Sequence, residues 1–418
     1  MKKVVLGNGL CVEFYPMPNT HSITVALYVR AGSKFESERE NGITHFLEHL
    51  HFRHLGDLSQ RELYYRMESI GSTLKAATGR DYLRFSMKIL PKYLPDCLEI
   101  FKRVITADNW TQSDLELESA VVANQIAERY YTNGTLLRSL VYKGDPLEYE
   151  IMGTAENVQS FTPEQIIAYK RKIFNSRNMI LCIAGNIDND GIDTVKRAFE
   201  TLSLNRGERF EKIGVPKGFF KRKPNIAFDY ADWEMLEVHM AFDVPPGVSA
   251  KDLNLLNCIV GEGVGSRLQC VLREELGYTS DIGSYIDLYE ECASFHIEYT
   301  VGKKHFVNSL SALVNVLNRA KKDIGENDLR VSLPFYSENL DFLLDDTEEM
   351  SKQIGFYGFI WGKSIELGRQ YDIDSLSVKL RELAKKIFVT KNICLAVTGN
   401  CRGFTKKAVS GVLESINQ

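Results

Sequence analysis

Residues 169–188, YKRKIFNSRNMILCIAGNID, return in altered form as residues 383–402, LAKKIFVTKNICLAVTGNCR. Lys172-Ile173-Phe174 recurs as Lys386-Ile387-Phe388, and Gly185-Asn186 recurs at the same offset as Gly399-Asn400. Two features that keep one spacing in both copies mark a duplicated unit, and each copy reads as an amphipathic helix, a turn, a buried strand and a Gly-Asn turn. The chain is therefore expected to fold as two related halves, residues 1–205 and 226–418. Between them residues 206–225, RGERFEKIGVPKGFFKRKPN, are charged and broken by Gly and Pro, and read as the linker.

Each half opens on alternating strand patterns, HSITVALYVRAG and LEVHMAFDVPPG, and carries long helical stretches such as SDLELESAVVANQIAERYY. That mixture predicts an α+β fold: two homologous units, each a largely antiparallel sheet with helices packed on one face. At 418 residues the chain exceeds the roughly 250 at which single cores stop growing, in keeping with two units.

The net charge of −4 is the difference between 51 basic and 55 acidic residues spread along the chain, so no field selects nucleic acid or an anionic membrane. No run reaches the roughly 18 apolar residues needed to span a bilayer, and the first residues show no signal-peptide pattern. The eight cysteines form no C-x-x-C pair, and Cys182 and Cys394 sit inside apolar runs. A cytoplasmic protein with reduced thiols is the expectation.

Chemistry concentrates in residues 42–52, GITHFLEHLHF. Ile43, Phe46, Leu47 and Leu50 recur at three and four, which predicts a helix and puts His45 and His49 on one face. Two imidazoles at i and i+4 can chelate one zinc ion, and Glu48 beside them can take a proton from an attacking water. The order is the inverse of the H-E-x-x-H signature. His51 and His54 fall off the chelating face and read as surface or supporting histidines.

Two histidines leave a zinc site short of the usual three protein ligands. The stretch NGITHFLEHLHF, followed by MESIGSTLKAATGRDYLRFSM, resembles the N-terminal half of the pitrilysin/insulinase family of inverzincin zinc metallopeptidases, in the short-chain dimeric form. Residues 145–188 resemble the end of the family's first half and GVGSRLQCVLREELG its second-half signature, so the likeness covers nearly the whole chain.

The resemblance implies a bound zinc ion, a peptide substrate and a chamber closed by dimerisation. It also implies a third ligand at a set distance beyond the second histidine, in a helix of the form E-x6-E. Glu118 matches the first glutamate and is expected to support the ligand helix from behind. The ligand position itself is Gln125, an amide without negative charge and a poorer donor to the ion. Glu128 is an alternative donor, although it lies about 4.5 Å further along the helix axis.

In the second half the family places an arginine and, seven residues later, a tyrosine against the substrate. Arg273 matches the arginine, Ser280 stands seven residues on, and Tyr278 comes two early. The offset of the repeat carries His45 onto Ile259, so the second half holds no metal ligands. Residues 71–82, GSTLKAATGRDY, resemble the family's edge strand, where Ala76, Ala77 and Thr78 would pair with a peptide backbone. The expected activity is peptide hydrolysis, with precursor processing as one role. The alternative is a weakly active or non-catalytic partner in a heterodimer rather than a homodimer.

Overall fold

The computed structural model describes residues 1–128, 133–220, 224–362 and 372–417. Contacts divide the chain into two compact units. The first comprises Met1–Tyr130, Tyr149–Lys212 and Asp341–Ile365; the second comprises Tyr131–Glu148, Ile213–Leu340 and Glu366–Gln418.

The first unit contains strands β1 (Lys2–Val5), β2 (Cys11–Pro16), β3 (Ile23–Val29), β4 (Lys75–Thr78), β5 (Leu83–Ile89) and β6 (Met179–Gly185), lying in the order β1-β2-β6-β3-β5-β4. The second contains β7 (Asn225–Tyr230), β8 (Met235–Val244), β9 (Ile282–Leu288), β10 (Ala293–Gly302) and β11 (Ile393–Gly399), in the order β9-β10-β8-β11-β7. The helices that dress these sheets include α1 (Ile43–Arg53), α2 (Gln112–Glu128), α3 (Asn133–Val141), α4 (Pro163–Ile173), α5 (Ala250–Val260), α6 (Thr347–Lys352) and α7 (Ile373–Ile387).

The repeat is carried through end for end. Strands β2 and β6, which begin at Cys11 and Met179, return as β7 and β11, which begin at Asn225 and Ile393. The same offset carries Ile173, the last residue of α4, onto Ile387, the last residue of α7. In both sheets the strand pair is parallel, β2 with β6 and β7 with β11, and the remaining ladders are antiparallel. The final glycines of β6 and β11 hold φ values of 134° and 126°, and a Cβ on Gly399 would sit 2.5 Å from the Met235 carbonyl oxygen. Glycine is what this close approach of neighbouring strands requires. The α+β class with antiparallel-rich sheets is the observed architecture.

Alternation sorts each sheet into two faces. In β3, Ile23, Val25, Leu27 and Val29 enter the first unit's apolar core beneath the helices. Thr24, Ala26 and Tyr28 point to the other face, which is also apolar enough to need covering. Residues 346–361 cover it: Thr24 and Thr347 share a 2.8 Å hydrogen bond, Trp361 donates to Asp81, and the Tyr28 ring lies against Gly355 with no room for a Cβ. In the second unit α3 covers the corresponding face, with Asn133 donating to the Glu237 carbonyl and Tyr142 bonded to Ser294.

The compact units thus differ from contiguous halves divided at residues 205 and 226. Each half lends a segment, 131–148 or 341–365, to the other half's unit, because the second face of each sheet would otherwise leave apolar surface in water.

Candidate metal and catalytic site

Helix α1 forms as its spacing predicts. Ile43, Phe46, Leu47 and Leu50 are buried in the first unit's core, and the opposite face presents His45, Glu48 and His49, each half-buried. The helix starts at Gly42, whose φ of 100° suits glycine and where a Cβ would meet the Met152 carbonyl oxygen at 2.7 Å. Gly42 has no capping side chain of its own. Glu36 supplies the cap instead: its buried carboxylate accepts from the N–H of Gly42 at 2.8 Å and of Thr44 at 3.0 Å, and from the Thr44 hydroxyl at 2.6 Å. An anion on the first turn of a helix satisfies donors that have no partner within it and complements the macrodipole.

The two imidazole rings lie 4.6 Å apart, centre to centre. His49 donates from Nδ1 to Glu118 Oε1 at 2.8 Å. That bond fixes the proton on Nδ1 and leaves the Nε2 lone pair unused, the arrangement in which a histidine ligates metal. His45 Nδ1 is buried without a hydrogen-bond partner. Burial first, and the neighbouring His49 next, push the His45 pKa down to about 4, so its ring is neutral near pH 7. Two imidazoles on one helix face, one with its Nδ1 unpartnered and the other held through Nδ1 by Glu118, fit a zinc ion.

Glu118, on α2, is 6% exposed and also accepts from Arg53 Nε at 3.0 Å. Burial works against its ionisation, yet the hydrogen bonds and charges of His49 and Arg53 outweigh it and hold the carboxyl below its ordinary value. Glu48 accepts a short hydrogen bond from the Thr78 hydroxyl. Burial raises the Glu48 pKa above the usual carboxylate value, and the bond from Thr78 offsets part of the rise. Thr78 closes β4, which pairs on one side with β5 and forms the edge of the sheet. Ala76, Ala77 and Thr78 are therefore half-buried residues of an edge strand, and that strand is tied by hydrogen bond to the glutamate on α1.

Gln125 lies on α2 two turns beyond Glu118 and thus close to the same helix face. Its side chain is exposed, as is that of Glu128. Among the described residues no group of three or more His, Cys, Asp or Glu side chains is gathered to hold a metal. His51 differs from expectation. It is fully buried, its ring nitrogens 2.7 Å from the Leu47 carbonyl and 3.2 Å from the Val104 carbonyl, of which the neutral ring can donate to one, and it is packed on Phe85, Trp110 and Phe174. It is a core residue, because its helix position turns it under the sheet with the apolar stripe. His54 is half-buried, 3.8 Å from Asp114 Oδ2.

Arg273 and Tyr278 belong to the second unit. Arg273 is exposed, with its guanidinium 3.4 Å from the adjacent Glu274 carboxylate, and Tyr278 stacks on His305 at 5.0 Å. Ser280 is exposed. Ile259, at the place that corresponds to His45, is buried in α5. Sequence reasoning passed over Arg53 and Glu36. The first carried a signal, since it lies four residues after His49 on one helix face; the second carried none, because its role depends on how a loop folds back.

The family model for Insulinase (Peptidase family M16) matches residues 13–155, and the model for the Peptidase M16 inactive domain matches residues 160–332. The chain belongs to peptidase family M16. The M16 chain is similar to an uncharacterized zinc protease of Rickettsia felis, 27% identical over 368 residues that cover 84% of this chain and 87% of the relative. The uncharacterized zinc protease YmxG of Bacillus subtilis is 24% identical and is matched over 95% of this chain and 98% of its own length. Among solved structures, a protease from Helicobacter pylori superposes with a TM-score of 0.81 at 20% identity, over 95% of this chain and 99% of that one. The fold is thus the M16 fold. No helix among the described residues is long and apolar enough to cross a membrane.

Proposed function

We propose that this M16 chain is a zinc-dependent endopeptidase acting on peptides or unfolded segments. The observation that carries the proposal is the convergence of His45, Glu48 and His49 on one face of α1, with Glu118 orienting His49 and Thr78 joining Glu48 to an edge strand.

In this reading His45 and His49 hold zinc and Gln125 occupies the third position through its amide oxygen. Zinc, when bound, supplies Lewis acidity toward the carbonyl of the scissile peptide. Glu48 accepts the proton of the attacking water and returns it to the leaving amine, and its raised pKa brings it nearer to neutral pH, where a general base works best. Strand β4 offers its free backbone edge to an extended peptide through Ala76, Ala77 and Thr78. Arg273, and Tyr278 five residues on, are the residues of the second half assigned to substrate binding. The eight free cysteines support a reducing, cytoplasmic setting. A dimer, either of this chain or with a related subunit, would close the chamber, and precursor-peptide processing fits such an enzyme.

A second reading has its own observation. Gln125 is an amide on an exposed stretch of α2, and a site with two histidines and a neutral third donor binds zinc more weakly. The chain would then serve as the weakly active or non-catalytic partner of a heterodimeric peptidase. Incubating the purified chain with a mixed peptide pool, with and without a zinc chelator and beside Glu48→Gln, decides between them. Chelator-sensitive cleavage abolished in Glu48→Gln supports the peptidase; no cleavage by the chain alone, restored on adding a related subunit, supports the partner.

A further inference from the structure

The carboxylate of Glu118 is shared. His49 donates to Oε1 at 2.8 Å, while Arg53 places Nε at 3.0 Å and Nη2 at 2.9 Å from Oε2. His49 and Arg53 are four residues apart on α1, so one helix face presents both donors to one side chain of α2. The arginine side chain is 24% exposed and the glutamate side chain 8%, which leaves the contact largely screened from water.

We propose that Arg53 is a positioning residue for the metal ligand His49. It acts through Glu118, and the proposal rests on the zinc-peptidase reading above. A carboxylate held by one hydrogen bond can rotate about its last torsion, where the barrier is broad and low. The guanidinium fork on Oε2 removes that freedom and sets the carboxylate plane so that Oε1 lies on His49 Nδ1–H. The imidazole is then held in one tautomer and one orientation, with Nε2 turned outward. Partners of this outer kind are worth about 10- to 100-fold in metal affinity. They matter more in a chain whose third position is an amide, since the two histidines must supply most of the binding. Lysine would keep the charge but lose the planar two-nitrogen fork.

The test uses the full chain, zinc alone as the probe, and two readouts. Zinc affinity is measured by competition with a colorimetric chelator in the wild type, Arg53→Met and Arg53→Lys. The hydrogen-bonded imidazole N–H proton of His49 is followed by NMR in the metal-free protein and assigned by its loss in His49→Gln. We expect zinc binding about 10- to 100-fold weaker in Arg53→Met, an intermediate loss in Arg53→Lys, and an imidazole proton signal that is broadened or lost in Arg53→Met. Unchanged affinity together with an unchanged signal in Arg53→Met overturns the proposal. Should Arg53→Met fail to fold, Arg53→Lys decides, and wild-type values for both readouts overturn it. If the wild type binds no zinc, the peptidase reading fails by itself and the NMR readout alone decides: signal lost supports the positioning role, signal retained refutes it.

Discussion

Replacing Glu36 by alanine should destabilise the first unit while leaving every proposed ligand in place. The carboxylate is 5% exposed and caps α1 from outside the helix. Of its donors, the Thr44 hydroxyl keeps the Tyr169 hydroxyl at 2.6 Å and the Asn41 amide keeps the Glu150 carbonyl at 2.8 Å. The N–H groups of Gly42 and Thr44 have no such replacement. Two buried donors left unsatisfied at about 1–3 kcal/mol each, with some relief from water, give a loss of about 3 kcal/mol, above the roughly 0.5–2 kcal/mol usual for removal of a single helix cap, because two donors are orphaned and both are buried. For a unit of this size that is about 6–12 °C in melting temperature. Calorimetry and urea unfolding measure both figures. Glu36→Gln should recover less than half, because its amide nitrogen faces donors. A loss below about 0.5 kcal/mol in Glu36→Ala would refute the idea that this side chain holds the start of the helix.

Other outcomes follow from the same geometry. Glu48→Gln should lower peptide cleavage by about 10²- to 10⁴-fold with zinc affinity retained, and loss of metal along with activity would argue against a base role. Thr78→Val removes a hydrogen bond that lowers the Glu48 pKa, so the acid limb of the kcat/KM profile should move to higher pH; an unmoved limb contradicts that assignment. In the second unit His239 and His296 are buried 3.2 Å apart, and burial drives both pKa values well down. Their contribution to stability is complete above the ordinary histidine pKa of about 6.5 and is lost as pH falls below it, because the unfolded chain takes up protons first. The double variant His239→Gln/His296→Gln should flatten the acid side of the stability curve between about pH 6.5 and about 3, and an unchanged slope would show that these rings do not govern it.

The duplicated architecture was legible because its signals are local. Apolar strands ending in Gly-Asn and amphipathic helices repeat at one spacing, and β6 and β11 obey it to the residue. The α1 site was legible for the same reason: apolar residues at three and four set the helix, and the helix sets which side His45, Glu48 and His49 share. What the sequence withheld depends on tertiary contacts. The bond from Thr78 to Glu48 joins a strand to a helix 30 residues earlier. The segments that cover the second face of each sheet come from the other half of the chain, and nothing in their composition names their destination. His51 looked like its polar neighbours, yet its place in the helical rotation puts it under the sheet. His239 and His296 each lie in a strand of plain alternation, and only the register that sets Ala241 opposite His296 brings the two rings together.

The most direct measurement is zinc affinity and zinc-dependent cleavage of a mixed peptide pool by the wild type beside Gln125→Glu, at equal protein concentration. If His45 and His49 hold the metal and position 125 supplies the third donor, a carboxylate there should raise zinc affinity by about tenfold or more and raise cleavage with it. Equal zinc affinity and equal cleavage in the two proteins would contradict the account, because the residue at 125 would then lie outside the metal site.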